Sequence, residues 1–453
     1  MIKNLTEGKP LKLLFFFSLP MLMGNLFQQL YNMVDSIVVG NFVGADALAA
    51  VGASFPVVFL AVALASGLSM GCNVVISQLF GAGRIREMKT TISTALIGQF
   101  VLSIGITIVG EIISPGILRM LKTPDNIMAD SLIYLRIYLG GAVFLFIYNT
   151  LNGIYNALGD SKTPLYFLML STLTNIVLDL LFVIKFHMGV AGVAWATLIA
   201  QGVCAGLSMV VIMARLKHLE DEPGHEDEGK RPLFHFSAVE RIARIGVPSM
   251  IQQSIVSISM LMMQGLVNSY GSVFIAGYTA ATKIDSLAMM PNMNFSNAMS
   301  SYTAQNIGAG RPERVKQGFR AGAGMTLCVA VPFIAAFVFA GPQMVRLFLS
   351  APSADALAQG TLFLNIVAPF YVLISLKLAA DGVLRGAGCM GQFMTATFTD
   401  LILRVILAFL LAPRFGAAGI WMSWPLGWAV AAALSLGFYF TGGWRKRVGS
   451  IDK

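Results

Sequence analysis

Apolar residues fill this chain in long blocks, separated by short polar stretches where Lys and Arg collect. Blocks of about 20 apolar residues have the length a helix needs to cross a bilayer. Twelve such helices are predicted, at roughly 13–38, 48–72, 91–113, 130–151, 164–186, 190–214, 241–268, 273–299, 320–341, 356–380, 394–412 and 417–441. The expected architecture is therefore an all-α integral membrane protein with twelve transmembrane helices.

The pattern also repeats. Gln78-Leu-Phe-Gly-Ala-Gly-Arg84 recurs as Gln305-Asn-Ile-Gly-Ala-Gly-Arg311, and Gly189-Val-Ala-Gly192 as Gly416-Ala-Ala-Gly419, both at a displacement of 227 residues. Phe17-Ser-Leu-Pro20 answers Ile245-Gly-Val-Pro248 at 228. Three matches at nearly one displacement indicate an internal duplication into two six-helix bundles. Six is even, so both copies keep one orientation, related by an axis along the membrane normal, which is a transporter architecture. The predicted division is residues 1–216, a linker at 217–236 and residues 237–453. The linker carries Glu220-Asp-Glu222, Pro223-Gly224 and Glu226-Asp-Glu228, a polar run that reads as solvated chain between bundles.

Composition agrees: 56% of the 453 residues are hydrophobic and 12% charged, with a mean hydropathy of +0.75. A net charge of +9 raises the question of nucleic acid, but the cations sit in short clusters between apolar spans, where they retain anionic headgroups. No nucleic-acid partner is expected. In the predicted layout 22 Lys and Arg lie on the side of both termini and 6 on the other, which places both termini in the cytoplasm of a multi-pass cell-membrane protein. Lys3, Lys9 and Lys12 precede a long apolar run without a small-residue cleavage pattern, so that run reads as a first spanning helix and not a signal peptide. The four cysteines stand singly, without metal spacing, and read as packing residues.

The chemistry lies in the few polar residues inside the spans. An ionisable group there costs roughly 2.5–3.5 kcal/mol or more and marks a functional site. Asn175 and Asp179, spaced i, i+4, share one helix face. Asp35 ends a stripe of Gln28, Tyr31 and Asn32 on the first helix. Two acids in one half read first as an ion site. Asn149, Asn152 and Asn156 fall at similar spacing on the fourth helix, as packing amides or as ligands. In the second half, Asp381 lies four residues from both Lys377 and Arg385, and Asp400 four from Arg404, spacings that allow ion pairs within one helix. Lys283 and Asp285 do not face each other, so each needs a partner elsewhere. Methionines crowd the seventh and eighth helices, as in a cavity for varied apolar ligands or in ordinary packing.

Taken together, Phe17-Ser-Leu-Pro20, Leu30-Tyr-Asn-Met-Val-Asp35 with Val39-Gly40, the paired Gly-Ala-Gly-Arg loops, and Asn175 to Asp179 before Gly189-Val-Ala-Gly192 resemble the multidrug and toxic compound extrusion family, most closely its DinF-like branch. The likeness spans nearly the whole chain. It implies a V-shaped pair of bundles that exports small cationic or amphipathic compounds by alternating access in exchange for protons or sodium, acting as a monomer among membrane lipids, without a cofactor. It also implies an N-lobe cation site at Asp35, Asn175 and Asp179, with Asn149, Asn152 and Thr197 as polar neighbours. Asp35 and Asp179 would be the metal ligands if the ion is sodium. Asp381 matches the C-lobe acid of the NorM-like branch. The glutamate used there on the seventh helix has no counterpart, since Gln252, Gln253, Val256 and Ser257 occupy that region, which shifts weight to the N-lobe.

The main alternative is a flippase for lipids or lipid-linked saccharides. It needs positive charge in its cavity to hold a pyrophosphate, and only Lys283, Lys377 and Arg404 lie within predicted spans. An enzyme is not expected, because no HExxH, GxSxG or intramembrane histidine is present.

Overall fold

The computed structural model describes residues 2–219, 231–349 and 353–449. Most of the predicted linker, residues 220–230 with its acids and His225, lies outside the described residues, as does Lys453.

The chain is all-α. In the first half α1 (Pro10–Val38) runs into a π turn at Val39–Val43, followed by α2 (Ala45–Gly81), α3 (Ile85–Met120), α4 (Asp125–Gly140) and α5 (Ala142–Ala157). Then α6 (Lys162–Leu180) runs into a second π turn, Leu181–Lys185, before α7 (Gly189–Lys217). The second half holds α8 (Phe236–Asn268), α9 (Ser272–Gly308), α10 (Pro312–Leu347), α11 (Ala354–Val367), α12 (Tyr371–Gly386), α13 (Met390–Phe415) and α14 (Ala417–Phe440).

Fourteen helices give twelve spans because one span in each half is broken. α4 and α5 meet at Gly141 with a bend of 49°. At a displacement of 227, a 3-10 turn at Ala368–Phe370 breaks α11 from α12. Among the described residues ten spans are apolar enough to cross a membrane as single elements, and the bent pair makes an eleventh. The remaining helix is α9, whose 37 residues extend about 55 Å at 1.5 Å per residue. Its hydropathy is diluted by Asp285, Asn292, Asn294 and Asn306, and all four are buried.

The duplication is visible atom by atom. At the end of α2, Ala82, Gly83 and Arg84 N–H donate to the carbonyls of Gln78, Phe80 and Leu79. At the end of α9, Ala309, Gly310 and Arg311 donate to Gln305, Ile307 and Asn306 in the same order. Both turns need a left-handed residue, at Gly83 (φ 76°) and Gly310 (φ 68°), which is why glycine recurs there.

By contacts the chain forms two compact units, Leu19–Met250 with Met1–Lys3, and Ile251–Lys453 with Asn4–Ser18. The first is cored by Leu118, Leu135, Leu139 and Phe146. In the second, Trp421 is stacked between Phe274 and Tyr278 at 4.9 and 5.2 Å, and Phe363 meets it edge-on.

Candidate functional site

Within the first unit α1 carries Asp35 and α6 carries Asn175 and Asp179. Asp179 and Asn175 are wholly buried, and Asp35 is half-buried. The two carboxyl groups interact with each other, so residues 144 positions apart in sequence meet in the fold. Asn175 also approaches Asp179. Neither approach gives an Asp179 oxygen a hydrogen bond of normal geometry. Asp35 Oδ1, both Asp179 oxygens and Asn175 Oδ1 are buried acceptors without a partner, a state that costs free energy unless something supplies a proton or a cation. Such an oxygen set suits a hard cation or a shared proton.

Thr197 of α7 joins this group. Its hydroxyl is 3.1 Å from Tyr31 Oη and accepts from Asn175 Nδ2 at 3.4 Å. Asn149 does not share these bonds. Its amide donates to Leu145 O at 2.8 Å and its carbonyl faces Ser66 of α2 at 3.5 Å. Asn152 Oδ1 is buried without a partner, and no hydrogen bond links it to either acid. Tyr31 and Tyr134 stand within electrostatic reach of both carboxyls. Tyr134 carried no sequence signal beyond its i, i+4 spacing to Tyr138, on which it stacks at 6.2 Å.

Local structure changes beside both acids. The π turn at Val39–Val43 begins four residues after Asp35, and the one at Leu181–Lys185 two residues after Asp179; the two turns pack on each other. π turns inside α-helical runs frequently mark functional sites. Val38, Val39, Val183, Val190 and Tyr134 form an apolar cluster around them.

The second half lacks this chemistry. At the displacement of 227, Asp35, Asn175, Asp179 and Thr197 correspond to Met262, Ile402, Ile406 and Trp424. Two of its buried carboxylates, Asp381 and Asp400, are paired with cations instead. Asp381 Oδ2 lies 2.8 Å from Lys377 Nζ, and Oδ1 accepts from the Ser435 hydroxyl at 2.6 Å. Arg385 turns away, donating to Ser296 Oγ and Asn297 Oδ1 at 2.9 and 3.2 Å. Arg404 donates to Asp400 at 2.8 Å and lies 4.5 Å from the Trp424 ring centre. The partner required by Asp285 is the Tyr371 hydroxyl, at 2.5 Å.

A duplicated helical membrane bundle with buried carboxyls kept apart from fixed cations defines the class, a multispan membrane transporter. The MatE family model matches residues 20–181 and again 248–410, once per repeat. The chain belongs to this family of multidrug and toxic compound extrusion transporters, and it is not an enzyme. It is 32% identical over 443 residues to the probable multidrug resistance protein YpnP of Bacillus subtilis, covering 98% of this chain and 97% of that one. It is 26% identical to the probable multidrug resistance protein NorM of Thermotoga maritima, covering 95% and 92%. Among solved structures it is similar to a MOP superfamily transporter from Pyrococcus furiosus, with a TM-score of 0.86, 26% identity, and 99% and 98% of the two chains covered.

Proposed function

We propose that the chain is a secondary active multidrug exporter of the cell membrane, with cytoplasmic termini, that carries small cationic or amphipathic compounds as a monomer by alternating access. Entry of a proton or sodium ion between Asp35 and Asp179 drives export. The observation that carries this reading is the pair of carboxyls close enough to interact electrostatically, with buried oxygens that have no hydrogen-bond partner and no ion pair among the described residues. Without an ion the two like charges repel; with one bound, α1 and α6 close on it. The π turns beside the acids are the elements whose geometry changes, together with α1 around Pro20. Coupling requires the ion to favour one state by roughly a few kcal/mol, because equal affinity for both states shifts nothing.

Support also comes from the second unit. A flippase cavity needs cations for its pyrophosphate, yet of the three within the predicted spans Lys377 and Arg404 are each bound to a carboxylate, which leaves only the exposed Lys283.

Proteoliposomes loaded with a fluorescent lipophilic cation test the proposal, with a proton or a sodium gradient imposed and the other collapsed. One gradient alone is expected to drive efflux, and Asp35→Asn and Asp179→Asn each to abolish that coupling while the protein still reaches the membrane. Retained coupling in both variants would remove the ion from these residues.

A further inference from the structure

Within the second unit α9 is packed by α10, α11 and α12, which leaves one of its faces uncovered. Along that face Thr279, Lys283, Ser286, Met290 and Met293 follow at three- and four-residue spacing, so they form a single stripe. Met290 is half-buried and the other four are exposed. Lys283 stands about 16 Å along the axis from the helix start at Ser272, near the middle of a hydrocarbon core about 30 Å thick.

The other cations packed inside this unit are satisfied. Lys377 and Arg404 hold Asp381 and Asp400, and Arg385 donates to Ser296 and Asn297. Lys283 has neither a carboxylate nor a hydrogen-bond partner among the described residues. The acid nearest to it in sequence, Asp285, is buried and held by the Tyr371 hydroxyl at 2.5 Å. A charged side chain at such depth faces either a bundle interior or a water-filled path, and Lys283 is exposed, so its stripe borders water.

The hydroxyls of the stripe are not equivalent. Ser286 Oγ donates to Thr282 O at 2.8 Å, so the helix itself takes its hydrogen. Thr279, one turn before Lys283, makes no hydrogen bond of its hydroxyl among the described residues and can donate outward. Thr279 Oγ1 and Lys283 Nζ are thus two free donors on one face, one of them charged, which suits the two oxygens of a carboxylate. Beyond them Met290 and Met293 offer flexible, polarisable apolar surface.

We propose that this stripe selects, among the amphipathic compounds of the export function inferred above, those that carry a carboxylate. The acid lies on Lys283 and Thr279, and the apolar body lies on the methionines. The inference rests on that function for its substrates, whereas the site can be tested by binding alone.

Rhodamine B and its ethyl ester test the assignment, because the two fluorescent dyes differ in whether the carboxylate is free. Fluorescence anisotropy reads their binding to the purified full chain in mild detergent, and proteoliposomes read their efflux under an imposed proton or sodium gradient. The ratio of acid to ester affinity is expected to fall about five-fold or more from the unaltered protein to Lys283→Met, mainly through weaker binding of the acid. Comparing the ratio across variants removes the dyes' different partition into the micelle. Lys283→Gln should lower the ratio likewise, Thr279→Val should lower it less, and Lys283→Arg should keep it. Efflux should follow the same order. A ratio that falls in Lys283→Met while neither gradient moves either dye would leave the carboxylate site standing and overturn the export function instead. An unchanged ratio in Lys283→Met and Lys283→Gln, or an equal loss of both dyes, would overturn the assignment.

Discussion

Asp160 shows how this chain treats a carboxylate that it needs only for structure. It sits in the turn between α5 and α6, 2% exposed, and Arg215 reaches it from the end of α7 at 2.5 Å while the Thr163 hydroxyl and backbone N–H donate to it. Burial works to raise its pKa, and the N-terminal amine, Thr163 and Arg215 together outweigh burial and hold it below the usual carboxylate range. A folded pKa below the unfolded value means that the bonds stabilise the protein fully above about pH 4 and that this stability is lost as pH falls through the folded value. Asp160→Asn should therefore cost about 1–3 kcal/mol at pH 7. In thermal unfolding, its deficit against the unaltered protein should shrink below about pH 4. Nothing in the sequence singled out Asp160, because its partner lies 55 residues away, whereas the Lys377–Asp381 and Asp400–Arg404 pairs were legible from i, i+4 spacing. The same limit applied to Asp35 and Asp179. Each was recognisable as an acid inside an apolar span, but their meeting is a property of the packed bundle.

Among helices, close approach depends on small residues, as membrane packing requires where lipid gives no hydrophobic drive. α12 lies so near α9 that a Cβ on Gly386 would stand 2.3 Å from Ser300 O and 2.8 Å from Thr303 Cβ. Backbone cannot yield as a flexible side chain does, so Gly386→Ala should destabilise by about 1–3 kcal/mol. Gly391, at the start of α13, has nothing within 4 Å. Gly391→Ala should be neutral or stabilising by up to about 1 kcal/mol, the helix propensity gain. Thermal unfolding of the two variants side by side measures the contrast, and equal effects would mean that α9 and α12 separate easily. The number of spans was readable from hydropathy, but their lengths were not. α2, α3, α9 and α10 each run 36 or 37 residues because polar helix ends extend beyond the apolar window. The breaks at Gly141 and Ala368 were also hidden, since each lies within one continuous apolar run. The π turns leave no mark in sequence because Val39–Val43 and Leu181–Lys185 have ordinary apolar composition apart from one Gly, one Asn and one Lys.

At the scale of the whole chain, duplication supplied two scaffolds, and among the described residues the pair of interacting acids without a cation partner stands in the first, while the lone buried acid of the second, Asp285, is held by the Tyr371 hydroxyl. The second unit replaced them with Met262, Ile402 and Ile406 and filled its interior with paired charge and stacked aromatic rings. Its most carrier-like residue by sequence, Asp381, already holds a lysine and a hydroxyl, so a second cation would have to displace an ion pair inside low-dielectric surroundings. The assignment of coupling to the first unit therefore makes a demand on the second. Removing Lys377 alone would leave a buried carboxylate exposed to desolvation and cost about 3–5 kcal/mol, which confounds any transport assay. Replacing both partners, as Lys377→Met/Asp381→Leu, removes the pair without leaving a lone charge, and Ser435 can turn its hydroxyl to a carbonyl one turn back in α14. This double variant should fold and should keep gradient-driven efflux within about two-fold of the unaltered protein, a change of roughly 0.4 kcal/mol. Loss of coupling with intact folding would show that the second unit carries an ion after all, and that its lysine is displaced during the transport cycle.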